Sequence, residues 1–232
     1  MAQERVIKVL SWSEMSEPKE AYPEGINGAV AEVLNACPPA SPGRNCPGIE
    51  AKVSSIDDPE QGLSEANLAE ADVLFWWGHV KHGQVNDEYA ARVVKQVTER
   101  GMGFVPLHSA HYSKPFKALM GTDCGLGGWR EDGKPERIKV LAPDHPIAEG
   151  LSDFVIPEDE MYKEPFAVPE PETVVFYSYF QPGEEFRSGC CWTRGKGRIF
   201  YFRPGHETFR VMYQPEVKRV LCNAACWAAR YV

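Results

Sequence analysis

The sequence predicts an α/β fold built on a doubly wound, mainly parallel sheet with antiparallel additions late in the chain. Short apolar runs alternate with helix-length patterns through the first half. One run, ADVLFWWG, is apolar along its whole length, which is typical of a parallel strand buried on both faces. In the second half, three strand-like runs follow without a helical pattern between them, which indicates antiparallel pairing.

The first half contains four predicted strands and three predicted helices. The strands cover 6–12, 49–56, 71–78 and 101–107, and the helices cover 24–35, 64–69 and 86–100. In the last helix Tyr89, Val93 and Val97 form one apolar stripe, and Gly101 stands where a left-handed C-cap falls. Prolines and glycines in the segment 37–48 forbid regular structure there. Strands separated by helix-length crossovers predict right-handed parallel units.

The second half is expected to be less regular. Residues 121–170 are rich in glycine, proline and charge, and RIKVL is a short strand fragment within them. The runs TVVFYSYF, SGCCWTR and RIFYFRPG are predicted strands, and residues 215–231 are a predicted closing helix. Three consecutive acids at 158–160 are typical of a solvated loop. We expect residues 1–232 to form one domain.

Composition narrows the possible partners and the compartment. The formal charge of −8 argues against nucleic acid or an anionic membrane as partner. No apolar run approaches the ~20 residues that cross a bilayer, and the N-terminus lacks a signal-peptide pattern, so we expect a cytoplasmic protein. The seven cysteines contain no CxxC pair, and we expect them to be reduced, buried thiols.

Three of the six histidines stand directly after strand-like runs: His79, His108 and His206. Ligands of open α/β sheets bind beyond the carboxyl ends of the strands, so the three are expected to share a pocket. His82 and His111 come three residues after the first two and could lie at the same rim. Three imidazoles suit a zinc-like divalent ion, although a metal-free site with a histidine base fits nearly as well.

Carboxylates supply further candidates for acid–base chemistry. Glu207 directly follows His206 and could orient a ring or move a proton, and Glu160 is a weaker candidate of the same kind. The turn after 101–107 resembles a nucleophile elbow in position, but it contains neither a cysteine nor glycines around Ser109. Acyl transfer therefore has little support.

Aromatic side chains near these turns suit stacking on a sugar ring. Tyr112 and Trp129 lie in polar surroundings and are expected to face a ligand, and Tyr162 and His111 complete the predicted substrate-binding set. The glycines at 123–128 follow no strand and precede no GK[ST], so we expect no nucleotide cofactor.

The ordered motifs resemble those of the trehalose-utilisation (ThuA-like) family. They are ADVLFWWGH, GMGFVPLHSAH, DHPIAEGL, EDEMYKEPF, WTRGKGRIFYFRPGHE and the closing helix, and they cover about residues 6–228. The resemblance implies a flavodoxin-like fold of the class I glutamine amidotransferase type. Amidotransferases of that fold carry a cysteine at the elbow, whereas this chain has His108 there, so glutaminase activity is not expected.

The resemblance also implies a role in the use of trehalose and related disaccharides through 3-keto-sugar intermediates. We therefore expect an enzyme of the hydrolase, lyase or isomerase type acting on a small sugar, with His108, His206, Glu160 and Glu207 as catalytic groups. The extra histidines at 79, 82 and 111 depart from the usual family pattern and favour a metal site at His79, His108 and His206. The alternative is a non-catalytic sugar-binding or regulatory domain on the same scaffold. The apolar and aromatic residues of the late strands favour a homo-oligomer.

Overall fold

The computed structural model describes residues 6–37 and 47–232, and its strands form a single nine-stranded sheet. The strand order is β2-β1-β3-β4-β9-β8-β7-β5-β6. The strands are β1 (Ile7–Ser13), β2 (Ile49–Ser55), β3 (Val73–Trp77), β4 (Gly103–Leu107), β5 (Gly128–Val140), β6 (Phe154–Lys163), β7 (Thr173–Tyr179), β8 (Glu185–Arg194) and β9 (Gly197–Phe202).

The first part of the sheet is parallel, as predicted. β1 pairs with β2 and β3, β3 pairs with β4, and β4 pairs with β9, all in parallel. Every residue of β3 and β4 is buried, which agrees with strands covered on both faces. The carboxyl ends of β3, β4 and β9 therefore meet at one edge of the sheet.

Helices cover both faces of this parallel part. The helices are α1 (Gly25–Asn35), α2 (Glu65–Glu70), α3 (Asp87–Lys95), α4 (Lys114–Met120) and α5 (Pro215–Ala228). The apolar residues of α1 and α5 belong to one core cluster, and those of α2, α3 and α4 belong to the other. The doubly wound arrangement is thus confirmed. The sequence patterns had not indicated α4, a helix of only two turns.

Local capping explains where α2 and α3 begin and where the helical segment after α3 ends. The hydroxyl of Ser64 accepts from the backbone N–H of Asn67 at the start of α2, and the Asn86 side chain accepts from the N–H of Glu88 at the start of α3. After α3 the chain continues through a wider turn to Gly101, whose φ of 92° places it in the left-handed region expected of a C-cap.

The antiparallel part is larger and more regular than the sequence indicated. β8 pairs with β9, β7 with β8, β5 with β7, and β5 with β6, all antiparallel. The long pair β5–β6 occupies much of the segment that was expected to be irregular. The expectation that residues 158–160 form a solvated loop is wrong, because they lie in β6 and both Asp159 and Glu160 are buried. The cause is pairing with distant partners.

The cysteines also differ from expectation. Cys37, just after α1, and Cys222 on α5 form a disulfide with a Cα–Cα distance of 6.2 Å. The prediction of reduced thiols is wrong for this pair, because the packing of α1 on α5 brings together residues 185 positions apart. It is correct for the buried cysteines 124, 190 and 191, which are free. Most of the proline-rich segment 37–48 lies outside the described residues.

Every helix in the described part of the chain is too short or too polar to cross a membrane.

Candidate metal centre

Four side chains meet at the carboxyl edge of the sheet, and we call them the His–Glu cluster: His79, His108, Glu160 and His206. One potential ligand atom from each lies within 4.8 Å of the others. The ring centroids of the three histidines are 5.0 to 5.5 Å apart. The three strand-end histidines thus converge as the sequence predicted, and β6 adds the carboxylate.

His108 occupies the turn directly after β4 and is fully buried. Its backbone φ of 53° lies in the left-handed region, which is uncommon for a residue with a side chain and costs energy. This is the strained elbow position expected from the family resemblance. Its Nδ1–H donates to the backbone carbonyl of Arg203 at 3.1 Å. Since a carbonyl oxygen can only accept, Nε2 must carry the lone pair when the ring is neutral.

His79 follows β3 on a short loop that a buried acid holds in place. The carboxylate of Glu14 accepts from the backbone N–H groups of Val80 and Lys81 at 2.5 and 2.9 Å. The His79 ring donates from Nδ1 to Glu207 Oε1 at 2.5 Å. A carboxylate paired with one ring nitrogen fixes the tautomer and raises the basicity of the other nitrogen.

His206 lies beyond the end of β9, and its side chain is nearly completely buried. The hydroxyl of Thr208 donates to Glu131 at 3.2 Å and lies 2.9 Å from His206 Nδ1. The backbone N–H of Thr208 donates to the same Nδ1 at 3.3 Å. Nε2 of His206 is 3.7 Å from Glu207 Oε2 and therefore faces the same space as the other groups.

Glu160 reaches the cluster from β6 and closes it from the antiparallel side of the sheet. Its Oε2 lies 3.2 Å from Nε2 of His108, yet this buried oxygen has no hydrogen-bond donor among the described residues. With Nδ1 of His108 protonated, two lone-pair atoms face each other across this distance. Such a contact is repulsive unless a proton or a cation lies between them.

The pKa shifts of the cluster follow from burial and from mutual charge. Burial and the neighbouring cationic form of His206 lower the pKa of His108 well below 6.5, so this ring is neutral. Burial raises the pKa of Glu160. Burial alone would lower the pKa of His79, but the hydrogen bond and charge of Glu207 outweigh it and raise that pKa.

Tyr162 lies against the cluster, and its hydroxyl joins two of the polar groups there. It is 2.6 Å from Ser109 Oγ and 3.4 Å from Nε2 of His108. Burial raises its pKa well above 10, so the phenol stays protonated and can donate a hydrogen bond.

The other predicted substrate-binding residues lie outside the cluster. His111 is fully buried, its Nδ1–H donates to the carbonyl of Cys124, and its ring meets that of Tyr162 at 5.5 Å. Tyr112 is partly exposed beside His82. Trp129 is 66% exposed and pairs in register with Tyr162 across β5 and β6. Their role in sugar binding stays a prediction.

Several groups that shape the site were not found from the sequence. Glu14 comes directly after β1, so the same strand-end rule that selected the histidines would have selected it. Arg203 stands in the RPGHE motif, but its contacts to Glu136 and Asp159 join distant segments. No sequence signal indicated those two acids as buried partners.

The arrangement suits a divalent cation of the zinc type. Three neutral imidazoles and one carboxylate are a common donor set, and the two carboxylates Glu160 and Glu207 give the pocket negative charge. Tetrahedral zinc with bonds of about 2.1 Å would need ligand atoms about 3.4 Å apart. His108 Nε2 and Glu160 Oε2 are already 3.2 Å apart, and the ligand atoms of the four groups all lie within 4.8 Å of one another. Each carboxylate also has one buried oxygen without a hydrogen-bond donor.

Comparison with known proteins agrees with the fold and the motifs. The family model for ThuA, described as trehalose utilisation, matches residues 8–228. A ThuA-like protein from Parabacteroides merdae superposes with a TM-score of 0.68 at 18% identity, covering 98% of this chain and 91% of that one. A cytoplasmic protein from Salmonella typhimurium gives a TM-score of 0.62 at 15% identity, covering 96% of this chain and 99% of that one.

Amidotransferase-like folds are also similar. A Thermoplasma acidophilum protein that is described as part of a GMP synthase superposes with a TM-score of 0.54 at 13% identity, with coverage of 99% and 97%. At these identities the likeness shows the fold alone. It confirms the predicted α/β fold of the class I glutamine amidotransferase type, and it says nothing of activity. No curated protein sequence matches the chain.

Proposed function

Because the chain belongs to the ThuA family, which implies a role in trehalose utilisation, we propose that it is an enzyme acting on a disaccharide or 3-keto-sugar with the help of a divalent metal. The four ligands are His79, His108, Glu160 and His206. Zn²⁺ or a similar ion is the cofactor, no nucleotide is required, and the working compartment is the cytoplasm.

The contact between His108 and Glu160 carries the metal part of the proposal. Nε2 and Oε2 are 3.2 Å apart, both are buried, and the hydrogen bond from Nδ1 to Arg203 leaves Nε2 with a lone pair. A divalent cation held by His108 and Glu160 would replace this repulsion with attraction. A proton held by Glu160 would satisfy the same contact, and the elevated pKa of that carboxyl makes it the competing explanation.

The remaining polar groups would supply proton handling. When bound by the cluster, a divalent ion would supply Lewis-acid chemistry at a sugar hydroxyl or carbonyl oxygen. With Glu160 engaged as a ligand, Glu207 is the carboxylate left beside the cluster, and its hydrogen bond to His79 links it to the ligand set. The Tyr162 phenol, backed by Ser109, can donate to a substrate oxygen. This combination suits hydrolase, lyase or isomerase chemistry at an oxygen-rich substrate.

Nucleophilic glutaminase chemistry is not part of the proposal. The elbow residue is His108, and the free cysteines among the described residues, at 124, 190 and 191, are buried outside the cluster. Burial also raises the pKa of each of these thiols, which makes them poor nucleophiles. We expect no ammonia release from glutamine.

Metal analysis of protein purified without a histidine tag tests the metal site. We expect close to one equivalent of a divalent ion in the wild-type protein and a large loss in His108→Ala. His145→Asn is the matched control, because His145 lies outside the cluster and Asn can still cap the turn at Ile147. Less than about a tenth of an equivalent in the wild type, with no change in His108→Ala, contradicts the metal site.

A panel of disaccharides and their 3-keto forms, with product analysis, tests the catalytic part. We expect turnover of at least one member and loss of turnover in Glu207→Gln. Saturable binding without any product would instead identify a sugar-binding or regulatory domain.

A further inference from the structure

A fully buried charged group lies directly beneath the His–Glu cluster, and we call it the buried triad: Arg203, Glu136 and Asp159. Arg203 follows β9, Glu136 lies on β5 and Asp159 lies on β6. The guanidinium donates from Nη2 to both carboxylates, at 3.1 Å to Asp159. None of the three side chains reaches solvent.

Stability alone is a poor explanation for such a group. Removing three charges from water is costly, and well-packed apolar residues in place of a buried ion group are often as stable or more stable. Nε of Arg203 is buried without an acceptor among the described residues, which adds to the cost. A buried ionic group that persists at such a cost is better explained by the geometry that it fixes.

The contacts of the buried triad lead into the cluster at three points. The backbone carbonyl of Arg203 accepts from Nδ1–H of His108. Nη1 of Arg203 donates to the backbone carbonyl of Glu160. The carboxylate of Asp159 accepts from the backbone N–H groups of Gly205 at 3.0 Å and His206 at 3.1 Å. Three of the four cluster residues are therefore tied to one guanidinium or to its partner.

We propose that Arg203, bridging Asp159 and the Glu160 backbone from beneath, is a positioning residue that sets the spacing of His108, Glu160 and His206. The planar guanidinium matters because it can serve two carboxylates and a carbonyl at fixed angles. A lysine at this place keeps the charge but has no such fork. The role of this spacing in metal binding rests on the proposed function, whereas the spacing itself exists in the metal-free protein.

The test compares Arg203→Lys and Glu136→Gln with Arg187→Lys. Arg187 forms a two-point ion pair with Glu164 away from the cluster, so its variant makes the same chemical change elsewhere. Glu136→Gln keeps the shape of its side chain and leaves Arg203 with Asp159 and Glu160, so it serves where Arg203→Lys fails to fold. The probe is Co²⁺, whose visible spectrum reports ligand number and geometry.

Two measurements separate the outcomes. Co²⁺ titration is expected to show affinity about 10- to 100-fold weaker in Arg203→Lys, a smaller loss in Glu136→Gln, and no change in Arg187→Lys. Nitrogen-15 NMR of the metal-free protein is expected to show a slowly exchanging Nδ1–H of His108 in the wild type, which becomes fast-exchanging in the two triad variants.

Wild-type affinity and wild-type imidazole signals in the folded triad variants would overturn the positioning role. Equal losses in all three variants would also overturn it, because they would show a general effect of destabilisation. A wild-type protein that binds no Co²⁺ contradicts the proposed metal site instead. In that case the NMR measurement alone decides the positioning role, since it needs no metal.

Discussion

The parallel part of the sheet and its antiparallel extension contribute different things to the same site. Loops after β3, β4 and β9 supply the three histidines, as the topology of open α/β sheets requires. Strands β5 and β6 supply Glu136, Asp159 and Glu160 from within regular strands. The parallel part thus provides the three imidazoles on loops, and the antiparallel part provides the carboxylate of the cluster and the two acids that bind Arg203. A site built only from the first part would lack Glu160 and the two acids that hold Arg203 in place.

Removing a ligand from the parallel part should have the largest effect. His206→Ala deletes an imidazole of the cluster, so we expect metal affinity to fall by more than about 100-fold, beyond the effect of losing an outer partner. Equilibrium dialysis with Zn²⁺ measures it, with His145→Asn as control. An unchanged affinity would show that the loop histidines do not form the metal site.

Removing the charge from the antiparallel part should have the next largest effect. Glu160→Gln keeps the shape of the side chain but weakens the carboxylate ligand, and we expect a loss of about 10- to 100-fold. The pH dependence of metal affinity should also differ between the wild type and Glu160→Gln. Since burial raises the pKa of Glu160, metal must compete with a proton there, and wild-type affinity should rise with pH more steeply than that of Glu160→Gln. Parallel pH profiles would exclude Glu160 as a ligand.

The disulfide between Cys37 and Cys222 joins two helices that pack on the parallel part of the sheet, and removing it should lower the stability of the protein. Cys222→Ser opens a closure between residues 185 positions apart, and we expect a loss of about 2–4 kcal/mol in the free energy of unfolding. Denaturant unfolding with and without reductant measures it. Under reduction the wild type and the variant should become equally unstable, whereas without reductant the wild type should be the more stable. A stability difference between the wild type and the variant that is the same with and without reductant would show that the bond does not form.

His111 makes the parallel part sensitive to acid. Burial lowers its pKa to about 3, below the value of about 6.5 in the unfolded chain. The unfolded chain therefore takes up a proton first as pH falls, so stability is complete above pH 6.5 and declines between about 6.5 and 3. At pH 5 this amounts to about 2 kcal/mol. Glutamine does not titrate, so in His111→Gln the unfolding free energy should depend less steeply on pH, by the uptake of one proton. Equal slopes of unfolding free energy against pH would contradict the assignment.

Trp129 on β5 should show the smallest effect on stability. Its side chain is largely exposed, so Trp129→Ala should change the free energy of unfolding by less than about 0.5 kcal/mol. If the side chain stacks on sugar as predicted, the variant should nevertheless bind the preferred disaccharide more weakly. Unchanged sugar affinity would show that Trp129 does not contact the sugar, and would leave the His–Glu cluster and Tyr162 as the residues that bind it.

The same division explains what the sequence could predict. Periodicity and apolar runs located β1 to β4, α1, α3 and α5, because local patterns decide those elements. The rule of strand ends then selected His79, His108 and His206. By contrast, the run of acids at 158–160 has no local strand pattern, and its strand forms through pairing with β5. For that reason the sequence alone makes Glu160 only a weak candidate.

Pairing across long distances also hid the supporting groups. Arg203 and Glu136 are 67 positions apart, and Cys37 and Cys222 are 185 apart. Charged side chains are rarely buried, and one in every four residues of this chain is charged. The sequence therefore does not indicate that Arg203 and Glu136 are buried. Only the assembled sheet shows that a guanidinium and two carboxylates share one interior position.

The continuity of the nine-stranded sheet links ligand binding to the completion of folding. The cluster residues extend from His79 to His206, and the last of the four follows the strand that joins the two parts of the sheet. A chain that has formed only β1 to β4 holds two of the three imidazoles and would bind an ion weakly. An ion at 100 times its dissociation constant would add about 2.7 kcal/mol to the finished fold and nothing to the incomplete one. Thermal midpoints measured with metal and with chelator should therefore differ in the wild type, and the difference should vanish in His206→Ala.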